Sequence, residues 1–224
     1  MLIRSGICMN YKNLKERHRN ERSNFPQGLS VRIHRALSWL QRAEQESADV
    51  DAQFLFLWIA FNSAYSQEIP NSVSLTERRR QRRFWKKLIS LDKDNQLYEI
   101  VWEEFPKSIR LLKDNQFVFE SFWHFQRGEK TKEEWEGSFA NNKRKIIRAL
   151  ARQNTAELIE LLFGRLYTLR NQLVHGGATW NGSVNRSQLQ SGCQVLQVFV
   201  PAMLGVMLDN PNEVWGDEIY PVIK

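Results

Sequence analysis

The stretch FLFLWIAFNSAY, residues 54–65, constrains the fold of this chain more than any other feature. A helix advances about 100° per residue, so one stripe of this segment carries four aromatic side chains, and leucine and isoleucine cover most of the remaining surface. A helix that is apolar nearly all round belongs in the centre of a bundle. Asn62 is the polar exception on that surface. The four aromatic residues are Phe54, Trp58, Phe61 and Tyr65.

Helical periodicity continues on both sides of this segment. Apolar residues recur at intervals of three and four in residues 30–46, which precede it, and in residues 155–175. Shorter helical patterns fill much of the chain between them. No segment shows the alternation of a strand over a useful length. The sequence therefore predicts an all-α fold, an up-and-down helical bundle with additional helices.

The ends of two helices can be placed from their terminal residues. Thr155 suits the N-cap of the helix over residues 155–175, and Gly176 with Gly177 can adopt the left-handed conformation that ends it. A last helix from about residue 185 contains Pro201. Because proline lacks a backbone donor and clashes with the preceding turn, we expect it to kink or divide that helix.

Three segments organise the chain. Residues 1–28 are polar and basic and are predicted to form an arm or a short frayed helix. Residues 29–209 form one helical domain, which contains a basic insert at about residues 70–150. Residues 210–224 form an acidic C-terminal tail that we expect to be peripheral.

The charge of the chain favours an anionic partner. Its formal net charge is +7, and nucleic acid is a better candidate than a membrane surface because no long amphipathic face is flanked by lysines. The strongest cationic run is RRRQRRFWKK. It can contact RNA phosphates, or it can be a helix whose aromatic residues face the core while the cations are solvated. The candidate RNA-binding residues are Arg78, Arg79, Arg80, Arg82, Arg83, Lys86 and Lys87.

Several kinds of chemistry lose support from the sequence. The two cysteines, Cys8 and Cys193, make neither a disulfide framework nor a zinc pattern. Phosphate-binding GxxxxGK, dinucleotide, HExxH and GxSxG motifs do not occur. We expect a cytoplasmic protein without a membrane segment, metal or cofactor. Either Met1 or Met9 can be the native start.

The string LYTLRNQLVHGG, residues 166–177, carries the candidate catalytic residues. Asn171 and His175 are four residues apart and share a helix face, which Tyr167 joins one turn earlier and Arg170 borders. An imidazole near neutral pH can donate or accept a proton, so His175 suits general acid or base work. The alternative is structural, since histidine before glycine is also a common way to end a helix.

These residues resemble a known family. RNQLVH, preceded by Leu166 and Tyr167 and followed by Gly176, is similar to the Arg, polar residue, spacer, His motif of HEPN domains. The segment WIAFNSAY, residues 58–65, resembles the second helix of the HEPN branch that includes Apea-like proteins, and Asn62 lies in it. The resemblance covers about residues 30–205 and is sharp at these two places.

The resemblance implies both an activity and partners. HEPN domains are helical bundles that usually dimerise, and many are metal-independent endoribonucleases of toxin–antitoxin and other defence systems. Arg170 and His175 match the two defining positions of the motif, and Asn171 matches its polar neighbour. Nothing carries over to the basic insert. We expect RNA as the substrate, and the resemblance adds an antitoxin protein as a partner to consider.

The proposed chemistry needs more than one chain. Cleavage of RNA without a metal requires removal of the 2′-hydroxyl proton, stabilisation of the charged phosphorane and protonation of the 5′-oxygen. Of the four histidines, His175 alone has an arginine five residues before it. A two-histidine mechanism therefore predicts a homodimer with a composite active site. The alternatives are a non-catalytic HEPN-like module that binds RNA or a protein, and a helical scaffold that binds DNA.

Overall fold

The computed structural model of the chain describes residues 10–65, 77–104, 111–216 and 220, with the backbone alone for residues 77–79 and 104. These residues form helices joined by turns, and no strand occurs among them, so the all-α prediction is confirmed. A π-helical turn, Ile100–Glu104, follows α5. The helices are α1 Tyr11–Glu21, α2 Gln27–Gln45, α3 Val50–Tyr65, α4 Glu77–Leu91, α5 Gln96–Glu99, α6 Glu120–Gln126, α7 Lys132–Ala151, α8 Thr155–Val174 and α9 Arg186–Asp209.

The chain divides into two compact units. Unit 1 consists of Met1–Glu77 and Leu196–Lys224, and unit 2 consists of Arg78–Val195. Helix α9 begins in unit 2 and ends in unit 1. The two units differ in charge. Unit 2 has 22 Lys and Arg against 13 Asp and Glu, a net charge of +9, whereas unit 1 has 10 against 12, a net charge of −2.

The centre of unit 1 is the pair α2 and α3. Ile33 and Leu37 of α2 and Phe54 and Phe61 of α3 are all buried. No residue of α3 is exposed, as expected for a helix that is apolar nearly all round. The segment predicted from residues 54–65 to lie in a core therefore does so.

Helix α1 lies within the segment predicted to be a basic arm. The side chain of Asn10 caps its first turn by accepting a hydrogen bond from the Asn13 backbone. Leu14 and His18 are buried, and α1 packs against α2. Arg17 also forms an ion pair of 2.6 Å with Asp209, at the end of α9. Residues 11–21 therefore contribute to the packing of unit 1.

Part of the predicted C-terminal tail is anchored in unit 1 by Arg32, which is itself buried. Its guanidinium donates to the backbone carbonyls of Ala64, Trp215 and Gly216. Trp215 is buried, and its indole N–H donates to the Asn210 carbonyl at 2.8 Å. Charged donors satisfy backbone carbonyls strongly, so residues 210–216 are held in place.

Helix α9 continues across Pro201, so the prediction of a division at this proline is wrong, while the alternative of a kink stays a prediction. Proline inside a helix costs about 3 kcal/mol. Each fully buried Val, Leu, Phe or Met side chain contributes about 1.5–3 kcal/mol. Four such residues around the proline are buried, which outweighs its cost: Phe199, Val200, Met203 and Leu204.

Helix α9 is also long and apolar enough, by length and composition alone, to cross a membrane. Its most apolar window is 78% buried within the protein. A buried core helix passes the same test as a membrane span, so this feature alone does not indicate a membrane.

Helices α6, α7 and α8 pack together in unit 2. Thr131 begins α7 with a capping box, because its side chain accepts from the Glu134 backbone and the Glu134 carboxylate accepts from the Thr131 backbone. Ile146 of α7 and Leu158 of α8 are among the buried residues. Glu134 therefore stabilises the N-terminus of α7.

Candidate functional site

The candidate site lies at the C-terminal end of α8. Leucines at intervals of three and four bury one face of this helix: Leu158, Leu162, Leu166 and Leu169. The N-cap is Asn154, whose side chain accepts from the Glu157 backbone at 3.1 Å. The prediction that Thr155 is the N-cap is therefore wrong by one residue. The Thr155 hydroxyl accepts instead from the Trp102 indole N–H at 3.0 Å.

The last turn of α8 leaves His175 in solvent. His175 is the C-cap, and its backbone N–H donates to the carbonyls of Asn171 and Leu173. Gly176 follows with a φ of +69°, a conformation that favours glycine, so the predicted helix end is confirmed. The His175 side chain is exposed and has no hydrogen-bond partner among the residues that the structure describes. Its backbone ends the helix, and none of the described residues holds its imidazole by a hydrogen bond.

Arg170 and Asn171 are half-buried on the same turn. Arg170 Nη1 donates to Asn171 Oδ1 at 3.0 Å. That bond leaves the amide NH₂ of Asn171 and most of the guanidinium donors available. No carboxylate pairs with Arg170 in the described part of the chain. An unpaired guanidinium can form two parallel hydrogen bonds to a phosphate, and Asn171 can orient a bound group.

The sequence also names Tyr167 and Asn62 as residues that support the site, and Tyr167 shares this end of α8. Tyr167 is 44% exposed, and it lies one turn before Asn171. Asn62 lies on α3 in unit 1, where it is half-buried. The catalytic candidates and Tyr167 therefore belong to unit 2, and Asn62 belongs to the other unit.

The Gln172 side chain bonds the last turn of α8 to two other segments. The sequence analysis did not single out this residue. Its amide NH₂ donates to the Phe117 carbonyl, and its Oε1 accepts from the Asn185 amide at 3.0 Å. Asn185 immediately precedes α9. Gln172 thus fixes the turn that carries Arg170 and Asn171. Its position inside RNQLVH was the one available signal.

Arg165, on the same helix, was also missed, and it has a structural role. It is 2% exposed, and its guanidinium lies 4.5 Å from the ring centre of Phe119 and 5.2 Å from that of Phe139. Nη2 donates to Asn142 Oδ1 at 2.8 Å. Burial lowers the pKa of Arg165 to about 10, so the side chain stays charged at neutral pH. Arg165 is therefore enclosed by the core, whereas Arg170, five residues later on α8, is only half-buried.

The cationic run forms part of α4 and has two faces. Trp85 is fully buried, with its ring centre 4.6 Å from that of Phe163, so this aromatic residue faces the core, as one of the two alternatives for the run expected. Arg83 and Lys86 are exposed, and Arg80 and Lys87 are half-buried. The side chains of Arg78 and Arg79 lie outside the described residues.

Arg82 of the run forms an ion pair with a buried carboxylate. Its Nε lies 2.6 Å from Glu160 Oε2, and its Nη2 lies 3.1 Å from Glu160 Oε1. Glu160 is buried in α8. A buried carboxylate needs a charged partner, so Arg82 is occupied by the fold.

The described residues contain no group of three or more His, Cys, Asp and Glu side chains that could hold a metal ion. No known protein family matches the chain, and neither a curated protein nor a solved structure matches it.

Proposed function

We propose that the protein is a metal-independent endoribonuclease that cleaves RNA by attack of the 2′-hydroxyl, with Arg170, Asn171 and His175 at its active site. The observation that carries the proposal is the exposed imidazole of His175, five residues after an arginine that no carboxylate of the described residues neutralises. A histidine serving only as a cap has no need of such a neighbour. The net charge of +9 on unit 2 favours a polyanionic substrate.

The chemistry assigns a separate task to each side chain. His175 removes the 2′-hydroxyl proton or protonates the 5′-oxygen. Arg170 binds the scissile phosphate and offsets the charge that develops on the phosphorane. Asn171, fixed by Arg170, donates its amide N–H to the phosphate or the ribose. One chain supplies one histidine of this kind, so a second protomer supplies the other, and the active species is a homodimer.

The biological role follows from the family resemblance alone. An RNase of this kind in the cytoplasm is harmful when unrestrained, so the protein acts as a toxin or a defence effector. An antitoxin protein is then a partner that restrains it.

The test compares RNA cleavage by wild type, His175→Ala and Arg170→Ala in excess EDTA. We expect each substitution to lower the cleavage rate by about 100-fold or more, because each removes one catalytic contribution. His175 is exposed and Arg170 is half-buried, so stability should change by less than about 0.5 kcal/mol for His175→Ala and by about 1 kcal/mol for Arg170→Ala, which also loses the bond to Asn171. Cleavage that persists in both variants assigns the activity to another site or to a contaminant.

Two matched variants control for residue type and unit. His124→Ala removes a histidine whose imidazole pairs with Glu129, and Arg148→Ala removes an exposed arginine of α7. Both should cleave as wild type does. Light scattering of the active species should give about twice the chain mass of 26.5 kDa. A monomer with full activity contradicts the composite site.

If wild type and variants all bind RNA and none cleaves it, the result favours the non-catalytic HEPN-like module instead. Binding to duplex DNA with no preference for RNA favours the helical scaffold. Both results would remove His175 from a catalytic role.

A further inference from the structure

Exposed apolar side chains concentrate around the end of α8. Four of the large hydrophobic residues that are exposed in the described part of the chain lie within residues 167–184. Phe117, whose carbonyl is bound by Gln172, is a fifth. Water contact is costly for such side chains, so a local concentration of them indicates a surface that binds something. The four residues are Tyr167, Val174, Trp180 and Val184.

Trp180 is the largest of these side chains, and it is 75% exposed. It lies at the corner of the turn Thr179–Gly182, which is closed by a hydrogen bond of 3.0 Å from the Gly182 backbone to the Thr179 carbonyl. Asn181 has a φ of +53°, as the third residue of a type II turn requires. At Gly182 a Cβ atom would meet the Thr179 hydroxyl at 2.7 Å, so glycine permits this tight turn. The indole is therefore presented by a defined backbone.

The loop that carries Trp180 is closed at both ends on Gln172. A Cβ atom at Gly177 would lie 3.3 Å from the Gln172 carbonyl oxygen, so the chain passes close to the last turn of α8 there. At the other end, the Asn185 amide donates to Gln172 Oε1. Three Cα steps separate Gly177 from Trp180, so their Cα atoms are within about 11 Å of each other. Trp180 is thus held near the turn that bears the candidate catalytic residues.

We propose that Trp180 stacks on a nucleobase of single-stranded RNA bound at the end of α8, and that Tyr167 offers a second ring. This inference rests on the proposed function and names its substrate class. Aromatic rings combined with positive charge are how proteins bind unpaired strands, because every base has a π-face and every nucleotide a phosphate. In a duplex the faces of the bases are covered by their neighbours, so a stacking ring selects unpaired RNA.

Charge favours RNA over a protein partner as the occupant. The aromatic residues belong to the unit of net charge +9, and Arg170, at the same helix end, has no carboxylate partner in the part of the chain that the structure describes. An apolar protein surface would gain nothing from that charge. A strand of RNA uses both the rings and the cations.

Fluorescence anisotropy with a labelled RNA of about 12 nucleotides tests the proposal in excess EDTA. All proteins are the full chain carrying His175→Ala, so the RNA stays intact. Adding Trp180→Ala should weaken binding of the single strand by about tenfold or more, the loss expected for one stacked base. Trp180→Phe should retain most of the affinity. The same sequence as an RNA duplex should bind more weakly, and Trp180→Ala should not change its affinity.

Two controls keep the result interpretable. Tyr220→Ala removes an aromatic side chain of similar exposure, 77%, from unit 1 and should bind as the parent does. An RNA of the same length without bases should bind the parent at least as weakly as the intact strand binds the Trp180→Ala protein, because it can stack on neither ring. This comparison uses the parent protein and does not depend on the folding of the Trp180 variant.

Equal affinity of the Trp180→Ala protein and its parent for the single strand overturns the proposal. So does equal affinity of the parent for RNA with and without bases. This assay measures binding alone, so its failure is distinct from failure of the nuclease, which is read from cleavage.

Discussion

Replacing Arg82 by alanine should destabilise unit 2, whereas the same replacement of its neighbour Arg83 should not. Both changes remove one positive charge from the same cationic run of α4. The difference arises because Arg82 pairs with Glu160 through two short contacts of 2.6 and 3.1 Å, while Arg83 is exposed and has no ion-pair partner among the described residues. The two variants should therefore differ in stability although they carry the same net charge.

The magnitude follows from the burial of the two partners. The side chain of Glu160 is 8% exposed, and that of Arg82 is 57% exposed. Removing one partner of a fully buried pair costs about 3–5 kcal/mol. An exposed pair contributes about 0–1 kcal/mol. With one partner buried and the other in water, we expect a loss of about 2 kcal/mol for Arg82→Ala and less than about 0.5 kcal/mol for Arg83→Ala.

Urea unfolding followed by circular dichroism measures both variants. Glu160→Gln added to Arg82→Ala should recover part of the loss, because it removes the unpaired buried charge. Equal stability of the two single variants would refute the assignment of Arg82 to the fold. A double variant less stable than Arg82→Ala alone would refute the electrostatic reason.

Three further predictions concern the two cores and the helix end. Trp85→Ala should cost about 3–5 kcal/mol in urea unfolding, because it empties a buried site against Phe163; a loss below about 1 kcal/mol contradicts that burial. Burial lowers the pKa of His18 below its ordinary 6.5, so unit 1 should lose stability as pH falls below that value, and His18→Gln should lose less between about pH 7.5 and pH 5.5 in thermal unfolding. An equal loss in both proteins would rule out His18 as the cause. Gly176→Ala should cost about 1 kcal/mol and Gly176→Asn less, because the φ of +69° suits asparagine better than alanine; the reverse order in thermal unfolding counts against that backbone.

The helices could be predicted from sequence because local patterns determine them. The apolar surface of residues 54–65 and the leucines of α8 each reveal a buried element without knowledge of the rest of the chain. Gly176 likewise marked its helix end. The N-cap differed by one residue, since Asn154 and Thr155 are both able to cap and only the contact with Trp102 separates them.

Tertiary surroundings could not be predicted in the same way. Arg165 and Arg170 look alike in the sequence, but Phe119 and Phe139, from distant segments, enclose the first and leave the second accessible. The pairing of Arg82 with Glu160 likewise joins residues 78 positions apart. Local periodicity carries no information about such contacts.

Trp180 also had no signal in the sequence. It interrupts no pattern and belongs to no motif, and its interest comes from its exposure at the corner of a turn. The chain has eight tryptophans, and this residue type is highly buried on average, so the sequence does not identify the exposed one. The structure was needed to distinguish these cases.

The chemistry at the scissile bond tests the central claim most directly. Wild type in excess EDTA should cut single-stranded RNA to give 2′,3′-cyclic phosphate ends, as mass spectrometry of the fragments would show. The same RNA with one 2′-deoxyribose at the mapped position should not be cut at that bond, because the attacking hydroxyl is missing. Fragments with 3′-hydroxyl ends, or cleavage at the deoxyribose, would contradict attack by the 2′-hydroxyl and with it the role proposed for Arg170 and His175.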